Sequence, residues 1–277
     1  MKHIYLNLKR FDVPREYGGV NSLAPLNKWA ETIIESTQKK LNKYKNSDVE
    51  FVQFYPELHL LEAVKALDSD SLIKIGSQGV YRDDVEIGKN FGALTTNLPA
   101  AILSELGCKY TLIGHCEERN DIRGIIEASG KTDEDAISII LNKEILAAQE
   151  RDIKVLYCIG ENNNQQTEWQ NVLYNQIYFG LKGANKSDVV LAYEPIWSIG
   201  PGKQPADKEY ITKVAKFIKK EFGDIDIVYG GGLKQDNASM LASIDEISGG
   251  LIALTRFQGD IGFYPDEYLE IIDLYLN

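Results

Sequence analysis

Residues 189–203 read Val189-Val190-Leu191-Ala192-Tyr193-Glu194-Pro195-Ile196-Trp197-Ser198-Ile199-Gly200-Pro201-Gly202-Lys203; Lys208–Glu221 and then Ile225–Tyr229 with Gly230-Gly231-Gly232 follow. Val189–Tyr193 is a short unbroken apolar run, as expected of a strand covered on both faces in a parallel sheet. Lys208–Glu221 places Ile211, Val214, Ala215 and Ile218 at helical spacing along one face. Ile225–Tyr229 returns to the strand pattern. Strand, helix, strand within about 40 residues is one βαβ unit.

The same alternation extends in both directions. Further strand-like runs are His3–Leu8, Val49–Phe54, Leu72–Gln78, Tyr110–Gly114, Ile153–Cys158 and Gly250–Leu254. Helical spacing appears in Trp29–Tyr44 (Ile33, Ile34, Thr37, Leu41 on one face) and in Leu58–Leu67. It recurs in Asp135–Gln149 (Ile139, Ile140, Ile145, Leu146) and Pro265–Leu276 (Leu269, Ile272, Leu276). Dividing 277 residues by eight strands leaves about 35 per unit, enough for a strand, a crossover helix and two loops. A closed eight-stranded barrel and a doubly wound open sheet both satisfy this order. No GxGxxG follows the first strand, which weakens the nucleotide-binding version of the open sheet. No linker, repeat or low-complexity stretch divides the chain, so one domain over 1–277 is expected.

Composition narrows the function. With 30 basic against 41 acidic residues the net charge is −11, which disfavours nucleic acid or a polybasic membrane contact as partner. No run approaches the roughly 18 apolar residues of a spanning helix, and Met1–Asn7 lacks an apolar signal core. The cysteines are Cys108, Cys116 and Cys158, odd in number and without CxxC spacing. Neither a disulfide framework nor a zinc site is indicated, and a reducing, cytoplasmic setting is the simplest.

In a parallel barrel, chemistry sits at the C-terminal ends of the strands. There the first strand offers Asn7 and Lys9, placed on one side by alternation. The fourth offers His115 ahead of a polar segment able to start a helix, whose N-terminus favours a neutral imidazole. The sixth offers Glu194, followed by an apolar loop with Trp197, Gly200 and Gly202 that can close over a ligand. The seventh offers Gly230-Gly231-Gly232, whose amides can approach an anion. Each has an ordinary structural role when taken alone. Together they supply a carboxylate base, a neutral imidazole, a cation and anion-binding amides, a set suited to proton transfer α to a carbonyl in a phosphorylated substrate.

These residues resemble the triosephosphate isomerase family over nearly the whole chain. Ala192–Lys203 is similar to the family's AYEPVWAIGTGK, Ile113–Glu117 to its IGHSE, and Asn7-Leu8-Lys9 to its NWK; Cys158-Ile159-Gly160-Glu161 and Tyr229-Gly230-Gly231 also match. The resemblance implies an α/β fold of the (β/α)8 TIM-barrel type, with no metal and no cofactor. It implies Glu194 as the base, His115 polarising the carbonyl, Lys9 stabilising negative charge beside Asn7, and Glu117 in support. Residues 196–202 would form a lid, with the Gly200 amide gripping phosphate and Gly231 and Gly232 nearby. The expected activity is interconversion of D-glyceraldehyde 3-phosphate and dihydroxyacetone phosphate in a homodimer. The alternatives are a four-carbon ketose phosphate such as an erythrulose phosphate, or a barrel that has lost catalysis and binds or regulates.

Departures from the family pattern mark where this chain differs. After strand 8, Leu254-Thr255-Arg256 stands where the family has a phosphate-binding Gly-Gly pair. Arg256 is expected either to bind the anion by charge or to pair with an acidic neighbour. Gly232 stands for a common Ser, Cys116 for a Ser, Glu118 for an Arg, and Asn97 for a Glu. Thr95 still resembles the interdigitating loop of the dimer. Residues 10–26 and 120–131 look like lengthened connections.

Overall fold

The computed structural model describes residues 1–199, 203 and 205–277. Eight strands, β1 (Lys2–Asn7), β2 (Val49–Tyr55), β3 (Ile73–Ser77), β4 (Tyr110–Ile113), β5 (Lys154–Ile159), β6 (Val189–Tyr193), β7 (Asp226–Tyr229) and β8 (Gly249–Ile252), pair in parallel and in order. β1 closes onto β8, with Tyr5 opposite both Val52 and Leu251. This is the (β/α)8 barrel; the open-sheet alternative is excluded by the closure.

Helices α1 (Trp29–Leu41), α2 (Leu60–Ala66), α3 (Ala100–Leu106), α4 (Cys116–Ala128), α5 (Glu134–Gln149), α6 (Trp169–Gly180), α7 (Lys208–Phe222), α8 (Ala238–Ala242) and α9 (Pro265–Leu276) supply the crossovers and the final turn. The strands read as continuous apolar runs because both faces are covered. Tyr5, Val52, Phe54, Leu112, Leu156, Ala192 and Val228 fill the barrel interior, while Ile4, Leu6, Phe51, Tyr157 and Ile227 pack outward against the helices. Among the described residues no helix is long and apolar enough to cross a membrane.

Two sequence expectations change. Residues 120–131 are mostly helix, not an enlarged loop: α4 runs to Ala128 and starts at the site itself. The buried face of α5 is Ile137, Leu141, Ile145 and Ala148, and Ile139 is exposed. Apolar residues occur nearly all round α5, so periodicity alone leaves its rotation open, and packing against α4 and α6 fixes it. The expected faces of α1 and α7 are buried as read.

A buried polar network closes the N-terminal end. His3 bonds Glu50 at 3.2 Å and Asp226 at 3.1 Å. Glu50 also accepts from Tyr110 at 2.6 Å and pairs with Lys74. The candidate residues Lys9, His115 and Glu194 follow the opposite ends of their strands.

Candidate active site

β1 stops at Asn7, and Lys9 adopts φ +41°, a left-handed conformation that costs of order 1–3 kcal/mol in a non-glycine residue. Two side chains hold it there. Asn7 Oδ1 accepts the Lys9 N–H at 3.0 Å, and Gln78 Nε2 donates to the Lys9 carbonyl at 3.1 Å. The lysine ammonium is thereby carried across to Glu117 Oε1, 2.8 Å away. Burial opposes ionisation of Glu117, but the Lys9 bond and charge outweigh it and keep this carboxyl below its ordinary range.

β4 ends at Ile113, and His115 is the N-cap of α4. Its Nδ1 accepts the Glu117 N–H at 3.3 Å. A nitrogen that accepts carries no proton, so the neutral ring has its hydrogen on Nε2. Nε2 lies 3.4 Å from Glu194 Oε1. The other oxygen, Oε2, accepts the Cys116 N–H at 3.3 Å. Glu194 is buried, and burial pushes its carboxyl above the ordinary carboxylate range against the opposing charges of His115 and Lys9. Gly230 makes room for it: a β-carbon there would lie 2.6 Å from Glu194 Cγ.

Cys116 Sγ is 3.7 Å from His115 Nδ1. Ligand atoms of His115, Cys116 and Glu194 all lie within 4.8 Å of one another. Burial and the Glu194 charge push the thiol up to about 12, whereas nucleophilic attack needs thiolate. With Nδ1 already accepting a backbone N–H, the cluster suits proton traffic between Glu194 and Nε2.

Three supporting residues had no role assigned from the sequence. Buried Arg119 donates to the carbonyls of Gly114 (2.8 Å) and Cys158 (2.9 Å) and to Tyr157 Oη (2.9 Å), tying the ends of β4 and β5 together below His115. Glu161, after β5, accepts from Trp197 Nε1 (2.8 Å), Tyr193 Oη (2.9 Å) and Tyr210 Oη (3.0 Å), so it anchors the start of the loop after β6. Gln78 fixes Lys9. Only Glu161 had a signal, as the last residue of a family-like motif. Glu118 turns inward to accept the Gly114 N–H at 2.5 Å, with its carboxyl raised by burial beside Glu144.

The anion-binding expectations divide. Gly200 and Gly202 lie outside the described residues. The amides of Gly231, Gly232 and Leu254, and of Ala253 between β8 and Leu254, donate to no other described residue. Thr255 and Arg256 behave differently: both amides donate to the Gly262 carbonyl, at 3.2 and 3.1 Å. The Arg256 guanidinium lies 3.8 Å over the Tyr264 ring and bonds Glu267 through Nε at 2.8 Å. Of the two dispositions expected for Arg256, the pair with an acidic neighbour is the one present. The long loop after β1 joins this wall, with Arg15 bonding Asp260 at 2.9 Å.

A groove of about 690 Å³ between α1 and α2, lined by Leu26, Leu58, Leu61 and His59, lies elsewhere. Its His59 is buried and bonded to Asp12 at 3.0 Å, a structural pair behind Trp29. None of the candidate residues at the strand ends lines this groove.

A family model described as triosephosphate isomerase matches residues 25–272. Asn7 and Lys9 precede that span, so their place in the site rests on the bonds above. The triosephosphate isomerase of Alkaliphilus metalliredigens (strain QYMF) is 32% identical over 248 residues, covering 85% of this chain and 92% of that protein. That of Pseudomonas entomophila (strain L48) is 31% identical over 244 residues, covering 83% and 89%. The crystal structure of triosephosphate isomerase from Bartonella henselae aligns with a TM-score of 0.70 at 24% identity, over 100% of this chain and 99% of that one; at that identity the likeness concerns the fold.

Proposed function

Because this chain belongs to the triosephosphate isomerase family, we propose that Glu194, His115 and Lys9 carry out its aldose–ketose isomerisation, with Asn7 and Glu117 in support. The chain is an isomerase of a small sugar phosphate, and the substrate pair is D-glyceraldehyde 3-phosphate and dihydroxyacetone phosphate. The Glu194 carboxylate takes a proton from the carbon beside the carbonyl. The C–H electron pair forms the enediolate C=C bond, and the carbonyl π pair moves to oxygen. The His115 Nε2–H hydrogen-bonds that oxygen and passes protons between the two enediolate oxygens. Glu194 then returns its proton to the neighbouring carbon, so no atom is gained or lost. Lys9 offsets the transient negative charge, which is worth more in a site that excludes water.

The observation that carries this reading is the 3.4 Å approach of Glu194 Oε1 to a His115 ring whose tautomer is set by the Glu117 N–H. The raised carboxyl of Glu194 adds to it, since a stronger base removes a carbon-bound proton more readily.

The test is conversion of D-glyceraldehyde 3-phosphate by purified protein, with exchange of the migrating hydrogen into deuterated water. Turnover without such exchange, or no turnover of any sugar phosphate, overturns the assignment. A second reading keeps the chemistry and lengthens the substrate, on the strength of the altered loop after β8. A larger kcat/KM for a four-carbon ketose phosphate than for the three-carbon pair would establish it.

The same reading covers one domain over 1–277, a cytoplasmic setting and a homodimer. Three unpaired cysteines support the reducing compartment. Ile87 and Phe91, fully exposed on the loop between β3 and α3 that carries Thr95, support an apolar knob inserted into a second copy.

A further inference from the structure

The phosphate end of this site lacks the expected side-chain donors. Gly232 has no hydroxyl to offer, and the Arg256 charge is consumed by Glu267. Arg15 is likewise committed to Asp260. A chain of net charge −11 must still attract a phosphate dianion. We propose that Lys234 is the side-chain cation that binds the substrate phosphate in this chain, from the space left beside Gly232.

Four observations place it there. Gly232 has φ +101°, and a β-carbon built on it would lie 3.2 Å from Lys234 Cε. The lysine stem therefore folds back over the loop where a side chain at 232 would begin. Its Nζ lies 4.3 Å from the centroid of the Phe257 ring, so the ammonium bridges the loop after β7 to the loop after β8. These are the loops whose amides at Gly231, Gly232, Ala253 and Leu254 donate to no other described residue.

Among the described residues, no carboxylate lies within salt-bridge distance of Lys234. The backbone beneath it is fixed, with Lys234 N–H donating to Asn237 Oδ1 and Asn237 Nδ2 to the Gly232 carbonyl, both at 2.8 Å. A lysine acts on phosphate as a compact point charge. Supported by an aromatic face and set beside open amides, it replaces short-range hydroxyl and glycine contacts with one Coulombic contact.

The proposal rests on the reading of the substrate as a sugar phosphate, and its test separates the two. Calorimetric binding of inorganic phosphate to the parent, Lys234→Met and Lys234→Arg proteins needs no turnover. Steady-state kinetics on dihydroxyacetone phosphate then supply kcat and KM. Lys234→Met should weaken phosphate binding and raise KM about tenfold, leave kcat within about twofold, and flatten the salt dependence of binding. Lys234→Arg should restore most of the affinity. Should Lys234→Met fail to fold, Lys234→Gln is read in the same way. Phosphate affinity within about twofold of the parent in the methionine or glutamine variant overturns the proposal. If the parent isomerises no sugar phosphate but phosphate binding still falls in the variant, the functional reading fails and the role of Lys234 stands.

Discussion

Shortening Glu194 by one methylene tests the geometry of the base most directly. In Glu194→Asp the carboxylate withdraws by about 1.5 Å, one carbon–carbon bond. It now sits 3.4 Å from His115 Nε2 and 3.3 Å from the Cys116 N–H, and both contacts open beyond hydrogen-bond range. Displacing a reacting group by 1 Å costs on the order of 100-fold, so a retreat of this size costs about 100- to 1000-fold in kcat. At 1.36 kcal/mol per decade that is about 2.7–4 kcal/mol of barrier.

KM should hardly move, because the amides proposed to bind the anion lie in the loops after β7 and β8. The assay is steady-state turnover of D-glyceraldehyde 3-phosphate, with hydrogen exchange read in parallel, since both steps need the same carboxylate. In the parent, kcat/KM should fall on the acid side through a pKa above the 4.5 of an ordinary glutamate, because protonated Glu194 cannot accept a proton. A kcat for Glu194→Asp within tenfold of the parent would refute the placement of Glu194 as the base.

Arg256→Ala should leave kcat and KM unchanged and lower the thermal midpoint, because it breaks the pair with Glu267 and the contact with Tyr264; a rise in KM would return Arg256 to the phosphate site. Stability should peak at mildly acidic to neutral pH. Burial opposes the charge on Glu50, but bonds from His3, Lys74 and Tyr110 hold it down to about 2. The His3 bond likewise holds Asp226 at about 2. Their contribution is present above the unfolded values of 4.5 and 3.8 and is lost as pH falls toward 2. His3 is raised above 6.5, its two carboxylate partners outweighing burial, so its contribution is full below 6.5 and lost as pH climbs through the raised value. Urea midpoints measured across pH should fall on both sides of that window, and a flat profile would show the network to be idle.

The alternation of apolar runs and helical faces is a local property, and it sufficed for the eight βα units. The candidate residues could be picked out too, since Glu194, His115 and Lys9 each lie within two residues of a strand end visible in sequence. Tertiary structure alone decided what those residues touch. Lys9 meets Glu117 across 108 positions, and the left-handed turn that aims it depends on Gln78 from the loop after β3. The rotation of α5 was set by its neighbours, because its own apolar residues lie on every side.

The loop after β8 shows the limit most clearly. Its sequence offers an arginine and two free-looking amides, but whether a donor serves a ligand or the chain depends on which acceptor folding brings within 3 Å. Here Gly262 takes the amides and Glu267 takes the guanidinium. Hydrogen bonds and ion pairs are short-ranged and exclusive. A sequence therefore determines which groups are present, and the folded chain decides which of them are already spoken for.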